Sequence, residues 1–174
     1  MDLPSTVEVV TVSPEGDVSA AWHPEEVGTA PSVAGDGSTD DMPLLAFGFA
    51  PGAEANVAMV TAAPGAPVGN VHVLDNDGGL DHTPVVAVGP GASAIAWSRN
   101  LGGLKNDVLV RAFTWSGDAP LWLGEPVVVN PVPAAPYPTG LVPLPGGFFV
   151  TWSDGDNPAY RLKGRFVRIE EGRR

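Results

Sequence analysis

Between positions 84 and 130 the chain reads PVVAV, GPGA, SAIAW, a polar loop, DVLVRAFTW, SGDA and PLWLGEPVVVN. Four apolar runs with turn residues between them predict a four-stranded antiparallel meander. The rest of the chain reads as partial copies. Residues 7–12 (VEVVTV) and 18–22 (VSAAW) predict a hairpin that turns at SPEGD. Residues 23–42 are rich in Gly, Ser, Asp and Pro and predict a long loop. Residues 43–49 (PLLAFGF) and 56–62 (NVAMVTA) predict a second hairpin, 70–74 (NVHVL) a short strand and 75–82 (DNDGGLDH) a polar loop. After the stiff run PVPAAPYP, residues 139–144 and 148–152 (FFVTW) predict another hairpin, with a turn at Pro145, Gly146 and Gly147. Residues 160–170 (YRLKGRFVRIE) predict a long last strand, with Leu162, Gly164 and Phe166 on one face and Arg161, Lys163 and Arg165 on the other.

Every apolar run is short, and no window keeps a helical period. The 22 Gly and 19 Pro residues strengthen this reading, since both disfavour long helices. The class is therefore all-β, and 174 residues fit a single domain, 1–174. Within it, repeat-like units are expected at about 4–42, 43–83, 84–130 and 137–172. Three hairpins close on tryptophan: VSAAW at Trp22, SAIAW at Trp97 and FFVTW at Trp152. A flat ring at a repeated position fills the wedge between neighbouring sheets, so these three belong to the core. Antiparallel meander repeats, packed as a small propeller-like series, are the expected architecture. A two-sheet β-sandwich or jelly roll built from the same strands is the alternative.

Charge adds a polarity to this picture. The net charge is −11, which disfavours nucleic acid as a partner. Residues 1–98 hold thirteen Asp and Glu and no Lys or Arg, whereas all nine basic residues follow position 98. Six of those nine fall in the last fourteen positions. A basic C-terminal end suits docking on an acidic surface, its own or that of a neighbouring copy. The chain has no cysteine, so neither a disulfide framework nor a thiolate metal site is expected. MDLPSTVEVV has neither the basic start nor the apolar core of a signal peptide, and no apolar run is long enough to predict a membrane-spanning helix.

The pattern of a Pro-led strand, a PGG-type turn, a strand of FVVTW type, an Asp/Gly loop and a following strand resembles tandem propeller-like repeats of large bacterial secreted and surface proteins. It is carried here by PTGLVPLPGGFFVTWSDGDNPAYRLKGRFVRIEEG and by PVVAVGPGASAIAWSRNLGGLKNDVLVRAFTWSGDAPLWLGEPVVVN, about residues 84–172. The resemblance implies a fold and a scaffold role. It brings no catalytic residues.

Candidate chemistry is sparse. Asp75, Asp77 and Asp81 alternate with amide and glycine positions as oxygen ligands for Ca²⁺ do; a solvated Asp/Gly turn is the plainer reading. Calcium is the one cofactor this pattern suggests. Asp81 beside His82 is half of an acid–base pair, but no nucleophile motif accompanies it. Trp115 and Trp122 flank the SGDAP turn and are candidates for a binding patch, for example for a glycan. Arg161, Lys163, Arg165 and Arg168 are candidates for contact with another protein. The expected function is non-enzymatic: a structural or interaction protein, homo-oligomeric or one of many copies in an assembly such as a phage virion (decoration, tail or fibre subunit). That places it in a virion or on an extracellular surface. A carbohydrate- or ligand-binding module of propeller type is the alternative.

Overall fold

Val-rich runs bounded by Gly and Pro become strands throughout the described chain, because branched side chains pack well on a pleated surface and Gly and Pro end each run. The computed structural model describes residues 15–18, 28–35, 44–49, 56–61, 70–74, 80–103, 105–116, 119–131, 136–154 and 161–169. These residues form twelve strands in three antiparallel sheets, with no helix and no closed barrel among them. The first sheet is β1 (Gly28–Ala34), β2 (Leu44–Phe49), β3 (Asn56–Thr61) and β4 (His72–Val73). The middle sheet is β5 (Leu80–Gly89), β6 (Ala92–Asn100), β7 (Asn106–Ser116), β8 (Ala119–Trp122) and β9 (Val127–Val128). The third is β10 (Tyr137–Leu144), β11 (Gly147–Asp154) and β12 (Arg161–Arg168). Each is a meander, with strands adjacent in sequence also adjacent in space.

The sheets are stacked face to face in a sandwich-like series, and one packing relation recurs. Strand β5 lies against β1, β2 and β3, and β10 lies against β5, β6 and β7. So β1, β5 and β10 occupy equivalent places, as do β2, β6 and β11, and then β3, β7 and β12. The turns agree: β5–β6 and β10–β11 are both joined by a Pro-Gly pair whose glycine has positive φ (81° at Gly91, 78° at Gly146).

Alternation along the middle strands sends apolar side chains to both faces. Val86, Ile95, Trp97, Leu109 and Phe113 join Leu44, Ala46, Val57 and Met59 of the first sheet in one core. Ala87, Ala94, Ala96, Val108 and Val110 join Leu141, Phe148, Val150 and Trp152 of the third sheet in the other. The second interface sets small residues on the middle sheet against large ones on the third. Trp97 and Trp152 are 1% and 3% exposed, as their place in the repeated hairpin predicts. Neither indole N–H finds an acceptor among the described residues. Burying an indole removes roughly 200 Å² from water, an upper bound of about 5 kcal/mol, against about 1–3 kcal/mol for the stranded donor, so burial wins.

Three expectations are corrected. The long loop at 23–42 contains β1, paired with β2. Its sequence, GTAPSVA, hides the strand, because Pro31 falls in an irregular stretch where the register shifts between Thr29 and Ser32. An edge strand tolerates proline there. Ser32 also ties two sheets together: its Oγ accepts a hydrogen bond from the Val86 backbone N–H at 3.2 Å. The unit boundary expected at 43 therefore falls inside the first sheet. The polar loop expected at 75–82 ends earlier, since Leu80, Asp81 and His82 already belong to β5. Finally, the fourth strand of the middle sheet is split. Strands β8 and β9 both pair with β7, and Gly124, at φ 105°, lies between them. The hairpin expected at 7–22 lies outside the described residues apart from 15–18.

Asn130 ends this broken strand. Its Oδ1 accepts from the Val108 backbone N–H at 2.7 Å, and its Nδ2 donates to the Asn106 carbonyl at 3.2 Å. The Asn130→Ala variant leaves those buried groups without a partner and is expected to lose about 1–3 kcal/mol in urea unfolding. The Ala94→Leu variant overfills the space facing the third sheet and is expected to lose about 1–3 kcal/mol in the same measurement. A change near zero at Ala94 would mean that the two sheets are not tightly packed there.

Candidate functional site

The third sheet is where apolar and basic side chains reach solvent together. Cross-strand pairing settles which residues share a face. Phe148 pairs with Val167, Val150 with Arg165 and Trp152 with Lys163, so Arg161, Lys163 and Arg165 are on the face turned to the middle sheet. Phe149 pairs with Phe166, Thr151 with Gly164 and Ser153 with Leu162, so Leu162, Gly164, Phe166 and Arg168 are on the far face. The basic and apolar rows predicted for the last strand are therefore separate rows on opposite faces. Because β10 covers the middle sheet and β12 is the last strand of its own, the basic row reaches solvent beyond the core. Arg161, Lys163, Arg165 and Arg168 are all exposed.

The far face carries an apolar row, in which Val142 and Leu144 of β10 extend the apolar face expected for the last strand. Val142 is 51% exposed, Leu144 46%, Leu162 73% and Phe166 38%. Phe149 lies on this face, and its ring covers Gly164; a Cβ at Gly164 would sit 2.5 Å from Phe149 Cζ. The glycine thus admits an aromatic ring across the strand pair. Its signal was available in FFVTW, since adjacent phenylalanines on a strand must point to opposite faces and only Phe148 enters the core. The equivalent face of the middle sheet, with Ala87, Ala94, Ala96, Val108 and Val110, is buried.

Near this face, between the middle and third sheets, an open groove of about 790 Å³ runs past the two Pro-Gly turns. Among the described residues, Pro90, Leu121, Leu123, Pro143, Leu144 and Ile169 line it, and none of the described lining side chains is charged. Such a wall offers shape and apolar surface.

Trp115 and Trp122 are half-buried rather than open. Both meet Phe113 edge-on with ring centroids 5.4 Å apart, and both pack against the first core. His72 lies 6.2 Å from Trp115, and the Arg111 guanidinium sits 4.4 Å over the Trp122 ring. Arg111 is held there by a 2.9 Å bond from its Nε to the Gly124 carbonyl. The two indoles are thus tied into the edge of the first core, with a cation resting on Trp122.

Asp81 and His82 point to opposite faces of β5, as neighbours on a strand must, so they form no acid–base pair. Asp81 is buried, and its Oδ1 accepts from Arg99 Nε at 3.3 Å. Asp75 and Asp77 lie outside the described residues. Among the described residues no cluster of three or more His, Asp or Glu side chains is arranged to hold a metal ion. Within the same sheet Ser98 Oγ donates to the Pro136 carbonyl at 2.8 Å, a buried link to the start of the third sheet.

His82 faces the third sheet. Its Nδ1 is 2.7 Å from Thr83 Oγ1, and its ring lies 5.5 Å from that of Tyr137. Burial lowers its pKa below the usual 6.5. Neutral His82 is the form the fold accommodates, so the unfolded chain binds its proton more readily. Stability is therefore expected to fall as the pH drops through 6.5 toward the lowered value. An NMR titration of the imidazole checks this: the expected midpoint is below 6.5, and a midpoint at or above 6.5 would contradict the burial.

Comparison with protein-family models, with curated proteins and with solved structures finds no significant match for this chain.

Proposed function

We propose that this chain is a non-enzymatic structural protein that works as one subunit of a multi-copy assembly, docking neighbours through its third sheet. One observation carries the reading. On the far face of the third sheet Val142, Leu144, Leu162 and Phe166 are left open, whereas the equivalent face of β5, β6 and β7 in the middle sheet, with Ala87, Ala94, Ala96, Val108 and Val110, is buried. A contiguous exposed apolar face of this kind marks an interaction surface. The recurring step from sheet to sheet supports a propeller-like series that continues into a partner. The groove beside that face, with no charge on its described lining side chains, supports binding over catalysis. A phage virion, as a decoration, tail or fibre subunit, is a setting that provides many copies; a secreted or cell-surface scaffold built of such repeats is of the same kind.

The size of the protein in material from its source tests this reading. Native gel filtration of that material, followed with an antibody to the chain, is expected to place the protein in particles far above its 17.9 kDa mass. Elution at the monomer position would overturn the assembly reading.

A further inference from the structure

We infer that the partner of the third sheet is the third sheet of a second copy of this chain, docked far face to far face about a twofold axis. The inference rests on the assembly reading above and goes further by naming the partner.

Glycines set the shape of that face. Phe166 of β12 leans over β11: a Cβ at Gly147 would sit 2.9 Å from its Cζ. Phe149 of β11 leans the other way and covers Gly164 of β12. Each ring thus lies down across the neighbouring strand, in the space that a missing side chain leaves. Cross-strand pairing puts Val142, Phe149 and Phe166 in one row, with Gly140, Thr151 and Gly164 in the next. The result is a flat apolar face rather than a ridged one.

The middle sheet shows what a face needs in order to be covered by large side chains. Counted from the turn glycines Gly91 and Gly146, its row Ala87, Ala94 and Ala112 is equivalent to Val142, Phe149 and Phe166. The small residues of that face leave the room that Phe148 and Trp152 fill. On the third sheet its own phenylalanines take up the equivalent room. A cover bearing large side chains would overpack it, whereas a second flat face fits. A flat apolar face is complementary to itself, and two sheets pack in this way about 10 Å apart.

Charge and area agree with a second copy. Arg161 and Arg165 are on the opposite face of β12, so a far-face contact leaves both in water. Among the described residues of the far face Arg168 alone is charged, and it lies at the rim, in the row of Leu144 and Gly147. A twofold axis running across the strands between the phenylalanine and glycine rows keeps the two Arg168 side chains about 20 Å apart. That is twice the distance of about 10 Å over which charges act at 0.1 M salt. Three strands about 4.8 Å apart, each of 8 residues at about 3.3 Å, make a face of roughly 380 Å². Two such faces cover roughly 760 Å², at the weak and reversible end of specific contacts. Many copies held in one assembly make such a contact effective.

Sedimentation equilibrium of the purified full chain, over a wide range of concentration, tests this. A reversible monomer–dimer equilibrium is expected, with no larger species. Pairing at 1 M salt is expected to be at least as strong as at 0.1 M, because no ion pair holds the contact and salt screens the net charge of −11. Leu162→Asp and Val142→Asp, at side chains 73% and 51% exposed, are each expected to keep the wild-type melting temperature and to weaken pairing at least tenfold. Either one carries the test should the other unfold. R161Q/R165Q, on the opposite face, is expected to pair like wild type. Labelled Leu162→Asp is expected to bind wild type more weakly than wild type binds itself, because a twofold contact uses the same face on both copies. Undiminished binding of that labelled variant to wild type would overturn the inference, as would growth beyond two copies or a tenfold weakening at 1 M salt. So would folded far-face variants that pair like wild type. A purified chain that stays monomeric, while the protein in its source material is assembled, would sink the second-copy partner and leave the assembly reading standing. Monomers in both would remove both.

Discussion

A sheet whose strands are apolar at successive positions has to be covered twice, and the middle sheet of this protein imposes that constraint on everything around it. Val86, Ile95, Trp97, Leu109 and Phe113 need one cover; Ala87, Ala94, Ala96, Val108 and Val110 need another. The first and third sheets supply those covers in the same relative placement. The stack is held by burial more than by polar links: cross-sheet hydrogen bonds such as Ser32 to Val86 add positional definition at about 1 kcal/mol each, against several kcal/mol for each buried indole.

The same logic gives the two ends of the stack different characters. A rule that covers each sheet with the next leaves the last one uncovered, and the third sheet is the last in the described chain. Its far face keeps the apolar residues that the rule calls for, including a phenylalanine seated over a glycine. Its final strand keeps the basic residues. Alternation then places these two kinds of surface back to back on one strand. Elsewhere, two basic side chains are put to internal use. Arg99 neutralises a buried aspartate, and Arg111 rests on an indole and holds a carbonyl.

How much of this was legible follows from how local each signal is. Strands such as SAIAW, DVLVRAFTW and FFVTW are visible because their apolar content and their turns lie within ten residues. The core role of Trp97 and Trp152 was visible from repetition. Strand β1 was not, because GTAPSVA has the composition of a loop and becomes a strand by pairing with β2. The split of the fourth middle strand was hidden too, since PLWLGEPVVVN reads as one run until Gly124 breaks it. Asp81 was grouped with Asp75 and Asp77 by spacing alone, and pairing with Arg99 across β5 and β6 gives it another task. Trp115 and Trp122 looked available from their place beside a turn, but the closeness of Phe113 and Arg111 is a tertiary matter.

By itself, the sequence determined that this protein is built of short antiparallel strands, that tryptophans close its repeated hairpins, and that its charge is divided between its two halves. Those properties depend on residue identity and on spacing over a few positions. Only the tertiary structure decided which faces are covered, because covering is a relation between sheets distant in sequence. It set alanines of one sheet against the aromatics of the next. It turned the basic row of β12 inward past the edge of the core and the apolar row outward, and it left that outer face open. The physical reason is that a strand's pattern marks two faces without naming either, and the choice between them is made by which neighbour the sheet finds to bury it.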